Sequence, residues 1–315
     1  VQALKMAKKD ALSQRLELFT PIYDWAARVA ADPAPPPQRR ALAASLLGRR
    51  PEKTDDDLKI LSSLLTPQTP LEVQTSAVKS LGILGGKRVP AVLLEQWASH
   101  SPTLRSAIAD LLISRQDWAM ELLHAIEAGK VAPADLDVPR RQRLTSHSSA
   151  PVKQLAGNLL KESQTNRQDV VDANRSVLTT TGDRTRGAKM FATHCATCHR
   201  VENIGTEIGP GLVSVTNWSG EALLTAILDP DRQVEPRYLS YTAKLNNNDE
   251  IFGIITAETG GGITMKGLDG KDQNILRSNL KSLTCTNHSL MPMGFEQAMS
   301  KQELADLIAY LQTPH

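Results

Sequence analysis

One pattern recurs through the first half of the chain: an apolar pair, two intervening residues, then further apolar residues one turn on. Leu42-Ala43 is followed by Leu46-Leu47, Ala77-Val78 by Leu81, Ala107-Ile108 by Leu111-Leu112, and Leu155-Ala156 by Leu159-Leu160. Positions i, i+1, i+4 and i+5 lie on one stripe of an α-helix, so each copy predicts a helix with a single buried face. The copies start at 42, 77, 107 and 155, spaced 35, 30 and 48 residues apart. A helix that hides one stripe needs a neighbour, and such periods leave room for a helix pair per copy.

Helix starts fit the same reading. Thr69-Pro70-Leu71-Glu72 predicts Thr69 as the N-cap, Pro70 at the first helical position and Glu72 closing a capping box. Ser101-Pro102 opens the next unit in the same way, and Ala150-Pro151 opens the last. Residues 33–37 form a Pro-rich connector with an isolated helical segment before it. Over residues 38–162 the chain resembles HEAT-type α-solenoid repeats; an irregular helical bundle is the alternative. A polar stretch over 162–182 places a domain boundary near residue 165, with a short bridging helix around 170–178.

Beyond 183 the texture changes. A helix is expected from Asp183 to the cysteine motif, and a second from Ser219 to Asp229-Pro230, where proline disfavours helix in the preceding residue. Residues 238–245, 250–257, 263–266 and 274–277 read as short strands. They are separated by Asn246-Asn247-Asn248-Asp249, Thr259-Gly260-Gly261-Gly262 and Asp269-Gly270, all of them turn chemistry. A final helix carries the capping box Ser300/Glu303 and the stripe Leu304, Leu307, Ile308 and Leu311.

Cys195-Ala-Thr-Cys198-His199 carries the chemistry. Cys-x-x-Cys-His is the attachment signature of c-type haem. Two thiols three positions apart on a turn reach the two vinyl groups of one porphyrin, and the adjacent imidazole meets the iron from one face. Half a zinc site is the competing reading, but a closed zinc site needs four ligands. Outside the motif the chain offers only Cys285 and scattered histidines. A thioredoxin-like pair would want a βαβ context, and none is visible.

Composition narrows the partners. The chain has 315 residues, 36 basic and 34 acidic side chains and a formal net charge of +2, against the large basic excess of a nucleic-acid binder. Aromatic content of 4% argues against a base-stacking platform. No uninterrupted apolar run approaches the ~20 residues of a membrane span. The chain opens at Val1 without a signal-type segment and reads as a processed product or an excised fragment.

Residues 182–312 resemble the planctomycete–verrucomicrobium-type haem-binding domain. The resemblance is carried by Gly182-Asp183, Arg186-Gly187, Phe191, the motif at 195–199, Gly209-Pro210, residues 227–230, Tyr238, Gly253, residues 289–292 and residues 305–311. It implies a mostly α fold: a HEAT-like α-solenoid over 1–165, then a class I-like cytochrome c domain over 166–315, with a small antiparallel β insertion at about 237–284. Gly187 and Phe191 would then face Tyr310-Leu311 where two helices cross. The Pro210 carbonyl would accept the His199 Nδ1 proton and set the ring. Met291, held extended by Pro292, is the expected sixth ligand, with Met293 and His288 as alternatives. Trp218 is a candidate donor to a haem propionate, with core packing as the alternative, and Arg200 and Arg237 are candidate propionate partners. Cys285 reads as a small buried hydrophobe, with an intermolecular disulfide or a redox-sensitive thiol as alternatives.

The resemblance further implies one covalent haem c per chain and single-electron transfer. The donor would be a dehydrogenase domain or subunit and the acceptor another carrier, since in that family the domain is often fused behind a β-propeller of predicted membrane-bound dehydrogenases; no propeller is present in this chain. A haem enzyme or a gas or redox sensor with an exchangeable sixth ligand is the alternative, and a helical interaction protein with a zinc site is a third. Covalent haem attachment points to the periplasm or an extracytoplasmic membrane surface.

Overall fold

A computed structural model of the chain describes residues 19–160 and 167–313; the expected boundary near 165 lies outside them. The molecule is mostly helical with one larger antiparallel sheet. Among the described residues no helix is long and apolar enough to cross a membrane.

The first half is a run of short helices: α1 (Thr20–Ala31), α2 (Pro37–Leu46), α3 (Thr54–Ser63), α4 (Leu71–Leu84), α5 (Val89–Glu95), α6 (Pro102–Ile113), α7 (Gln116–Glu127), α8 (Val138–Thr145) and α9 (Ala150–Leu159). Helices two apart in sequence touch. Thus α2, α4, α6 and α8 form one file, and α1, α3, α5, α7 and α9 form another. The first three copies of the apolar motif sit on α2, α4 and α6. The fourth sits on α9, in the other file, which accounts for its longer spacing. The buried stripe is also narrower than expected: Ala43, Ala44 and Leu47 are fully buried, whereas Leu42 is 62% exposed.

Two expected caps do not form. Pro70 itself occupies the N-cap of α4, which leaves Thr69 one residue outside, paired through its hydroxyl with Thr66 at 3.1 Å. Ser101 stands at the N-cap of α6, but its hydroxyl is buried and makes no cap bond.

The second half holds α10 (Gln168–Ala173), α11 (Arg184–His194), the two-residue strands β1 (Arg200–Val201) and β2 (Ile204–Gly205), α12 (Gly220–Leu228), strands β3 (Leu239–Leu245), β4 (Glu250–Glu258), β5 (Gly262–Lys266), β6 (Asp272–Leu276) and β7 (Leu280–Ser289), then α13 (Phe295–Ala298) and α14 (Lys301–Leu311). The expected capping box forms, Ser300 with Glu303, and both expected helix starts are capped: Asp183 accepts from Arg186 N and Ser219 from Ala222 N. Helix α11 crosses α14 at Gly187, where a Cβ would collide with the Asp306 carbonyl and come 2.7 Å from Tyr310 Cβ. One turn on, the Phe191 and Tyr310 rings pack with centroids 5.6 Å apart. Leu223, Leu224 and Leu228 of α12 close this core against Leu304 and Leu307.

The larger sheet has order β6-β5-β4-β3-β7, antiparallel throughout. Four of its strands fall where expected, and β7, its longest, extends the meander to residue 289. Its apolar residues Leu280, Leu283 and Cys285 do not alternate. Opposite Lys244 and Leu245 the register skips from Ser282 to Leu280, and this bulge returns Leu280 to the buried face.

The sheet has its own core, built on Leu239, Tyr241, Ile255, Met265 and Leu283, and touched by Ala134 from the first half. It docks on the helical files. Arg277 Nη1 donates to the Pro67 carbonyl at 2.8 Å, and Gln68 Nε2 donates to the Leu280 and Lys281 carbonyls. The Arg105 guanidinium lies 5.3 Å from the Trp97 ring centroid and 5.6 Å from that of Tyr241. Arg105 also pairs with Asp135 at 2.5 Å.

Candidate metal centre

Helix α11 delivers the motif. Its backbone ends at Cys195, and Cys198 N and His199 N both donate to the Cys195 carbonyl, at 3.0 and 2.8 Å. This single turn gathers two thiols and one imidazole. The following loop folds back over it: Thr206 N donates to the Ala196 carbonyl, and Ile208 N and Gly209 N donate to that of Cys198. Gly205, at φ +96°, permits the close approach, because a side chain there would collide with the His199 carbonyl.

His199 is buried, and its Nδ1 lies 2.8 Å from the Pro210 carbonyl. A carbonyl only accepts, so Nδ1 carries the proton and Nε2 is left with its lone pair. Burial lowers the imidazole pKa, and the Pro210 bond partly offsets this. Gly209 backs the ring: a Cβ there would stand 2.6 Å from Cε1 and 2.9 Å from Nδ1.

The thiols of Cys195 and Cys198 are free and half-buried. Burial and then the neighbouring Cys198 push the Cys195 thiol up to about 12, and burial raises that of Cys198. Both are therefore protonated near neutrality in the metal-free chain. Among the described residues no three His, Cys, Asp or Glu side chains, those of the motif included, are arranged so that they could hold a metal ion directly, and the zinc reading has no ligand set here.

Met291 is half-buried on the loop after β7, and its N–H donates to Ser289 Oγ at 3.1 Å. Met293 is 53% exposed. His288 is exposed and places Nδ1 2.7 Å from Asp231 Oδ2. The indole of Trp218 is half-exposed just before α12, and its carbonyl accepts from Gln312. Arg200 pairs with Glu207, while Arg237 pairs with Glu235 and stacks on Tyr238. Cys285 is buried beside Tyr241 in the sheet core.

Several polar contacts that build this region cannot be read from the sequence, although some of their residues lie in segments it singles out. Asp306 accepts from Arg186 Nε at 2.6 Å and from Asp183 N at 2.7 Å, locking α14 to the start of α11. Asp231, Arg167 and Glu296 hold the loop that bears Met291. Of these, Asp231 borders Asp229-Pro230 and Arg167 lies in the polar stretch 162–182, but neither segment's sequence signal points to a contact with this loop.

Residues 184–249 match the cytochrome c family. No curated protein matches the chain. A cytochrome c domain carries covalently bound haem c, and Cys195 and Cys198 are consistent with that attachment. The residues present fit the group: two protonated thiols on one turn, an imidazole with Nε2 unprotonated, and a glycine where any side chain would overlap the ring.

Proposed function

We propose that the chain is a monohaem c-type electron-transfer module of class I type over residues 166–315, borne behind a HEAT-like α-solenoid over 1–165. The family match supports haem-based electron transfer. The observation that carries the haem site is the 2.8 Å bond from His199 Nδ1 to Pro210, which fixes the tautomer and the plane of the ring.

In this reading the Cys195 and Cys198 thiols would hold the porphyrin covalently, and His199 Nε2 and the Met291 thioether would be the residues that hold its iron. When bound, haem c supplies a reversible one-electron Fe(III)/Fe(II) couple. The chain's part is to hold both ligands through the redox change and to exclude water. His199 is oriented by Pro210 and backed by Gly209. The Met291 thioether is neutral and soft, and so favours the reduced state. Phe191, Leu224 and Tyr310 close the core beneath the motif. Trp218 is a candidate propionate donor on the exposed side.

The donor is a dehydrogenase domain or subunit and the acceptor a further carrier, with the helical files as a docking scaffold. Covalent haem attachment is carried out outside the bacterial cytoplasm, which supports the periplasm or an extracytoplasmic membrane surface as the module's location. The test is to express the chain with export and haem maturation and to record oxidised and reduced spectra. Sharp reduced c-type bands with a weak far-red sulfur-to-iron band are expected. High-spin iron that binds carbon monoxide would replace this reading with a haem enzyme or sensor, and absence of covalent haem would remove it.

A further inference from the structure

The geometry points to Asp231 and the Arg167–Glu296 pair as positioning residues that clamp the Met291 loop from both sides onto the end of α12. This rests on the reading of Met291 as a residue that would hold the haem iron.

The loop begins where β7 ends. There Ser289 N donates to Asp231 Oδ1 at 2.7 Å, and His288 Nδ1 donates to Asp231 Oδ2 at 2.7 Å. Ser289 Oγ in turn accepts from Met291 N at 3.1 Å. The Met291 backbone is therefore two hydrogen bonds from the Asp231 carboxylate. Asp231 sits in the turn immediately after α12. That turn is itself held, because Arg232 donates to Asp229 Oδ2 at 2.9 Å and to Gln168 Oε1 at 2.6 Å.

The other flank is α13. Arg167 Nη2 lies 2.8 Å from both oxygens of Glu296, and Arg167 Nε donates to the Leu228 carbonyl at 2.6 Å. Leu228 is the last residue of α12. Both clamps thus end on one anchor, three residues apart along the chain. The Arg167 and Glu296 side chains are only 17% and 15% exposed, so salt screens this pair less than a surface pair. Between the clamps Met291 and Pro292 have no regular secondary structure to hold them. A soft, neutral thioether is a ligand that a loose loop would surrender, so the clamps act where the ligand itself is weakest.

The experiment uses the full chain matured with covalent haem. It follows the far-red sulfur-to-iron band of the oxidised form and carbon monoxide binding to the reduced form. Asp231→Ala removes both acceptors and is expected to weaken the band and raise carbon monoxide affinity by about tenfold or more, because affinity scales with the fraction of molecules whose sixth position is open. Asp231→Asn keeps one oxygen for Ser289 N and is expected to fall between. Glu296→Gln is expected to act in the same direction from the other flank. A Met291-dependent band and a carbon monoxide affinity that Asp231→Ala leaves unchanged would overturn the clamp while the ligand assignment stands. If the unaltered chain lacks the band and Met291→Ala changes nothing, the assignment falls and the clamp with it. Should Asp231→Ala fail to accumulate, unchanged affinity in both Asp231→Asn and Glu296→Gln overturns the clamp.

Discussion

Gly209 lies flat against the imidazole of His199, with room for a hydrogen and none for a methyl group. The next residue, Pro210, supplies the carbonyl that takes the ring's Nδ1 proton. Two consecutive residues thus fix the ring, one by exclusion and the other by attraction.

Gly209→Ala is expected to push the ring off its bond to Pro210, at a cost of about 1–3 kcal/mol. Covalent haem per purified chain, read from a denatured haem spectrum, should fall while far-ultraviolet circular dichroism stays unchanged. Full haem content with an unaltered Soret band would show that the ring is not held this way.

The crossing of α11 and α14 predicts a contrast between two glycines. Gly187→Ala drives a methyl group into the Asp306 carbonyl and should destabilise the chain by about 1–3 kcal/mol. Gly157, inside α9, faces open space, and Gly157→Ala should stabilise by about 0.5–1 kcal/mol. Urea unfolding of both variants reads the difference. Equal effects would contradict the packing described.

Two buried titratable groups divide the acid limb of stability. Burial, and then the Arg105 charge, lower His100 from 6.5 to about 4. The unfolded chain therefore takes up a proton before the folded one, and stability falls between about pH 6.5 and 4, by up to about 2–3 kcal/mol. Asp306 is lowered from 3.8 to about 2, chiefly by the Arg186 hydrogen bond. Its contribution is present above pH 3.8 and is lost as pH falls through about 2. Since Arg186 is half-exposed, that contribution is about 1–2 kcal/mol. Unfolding free energies across pH should lose the upper slope in His100→Gln and the lower one in Asp306→Asn. Variants parallel to the unaltered chain would refute the assignment.

Arg277 holds the sheet to the helical files from a site only 2% exposed, bonded to the Pro67 carbonyl and to Glu258. Arg277→Met leaves the Glu258 carboxylate without its ion-pair partner, keeping only the Thr103 N–H, and should destabilise by about 3–5 kcal/mol. Replacing Glu258 by Leu in the same chain should restore a large part of this. Denaturant midpoints of the two variants decide it, and no recovery in the double variant would mean that the loss is not electrostatic.

What could be read from the sequence was local. The helix starts at Asp183 and Ser219 and the cap at Ser300 were legible because each signal lies within three residues of its partner. The contact between His199 and Pro210 spans only eleven residues. Strand β7 was missed because its bulge breaks the alternation that marks a strand. The fourth apolar motif was placed in series with the other three because spacing alone does not say in which file a helix stands. Least legible was the docking of the sheet: Gln68 reaches Lys281 across 213 residues, and nothing around either residue distinguishes it from an ordinary polar surface position.

The seam between sheet and helical files decides how the chain can be cut. A shortened protein beginning after residue 166 would keep the cysteines, His199 and Met291 and look complete by sequence. It would lose the Pro67 carbonyl from Arg277, the Gln68 amide from Leu280 and the Arg105 guanidinium from the Tyr241 ring. Side chains that now have almost no contact with water would form a new wet face. Solubility and self-association of such a truncate would then report on that raw surface rather than on the native haem-binding half.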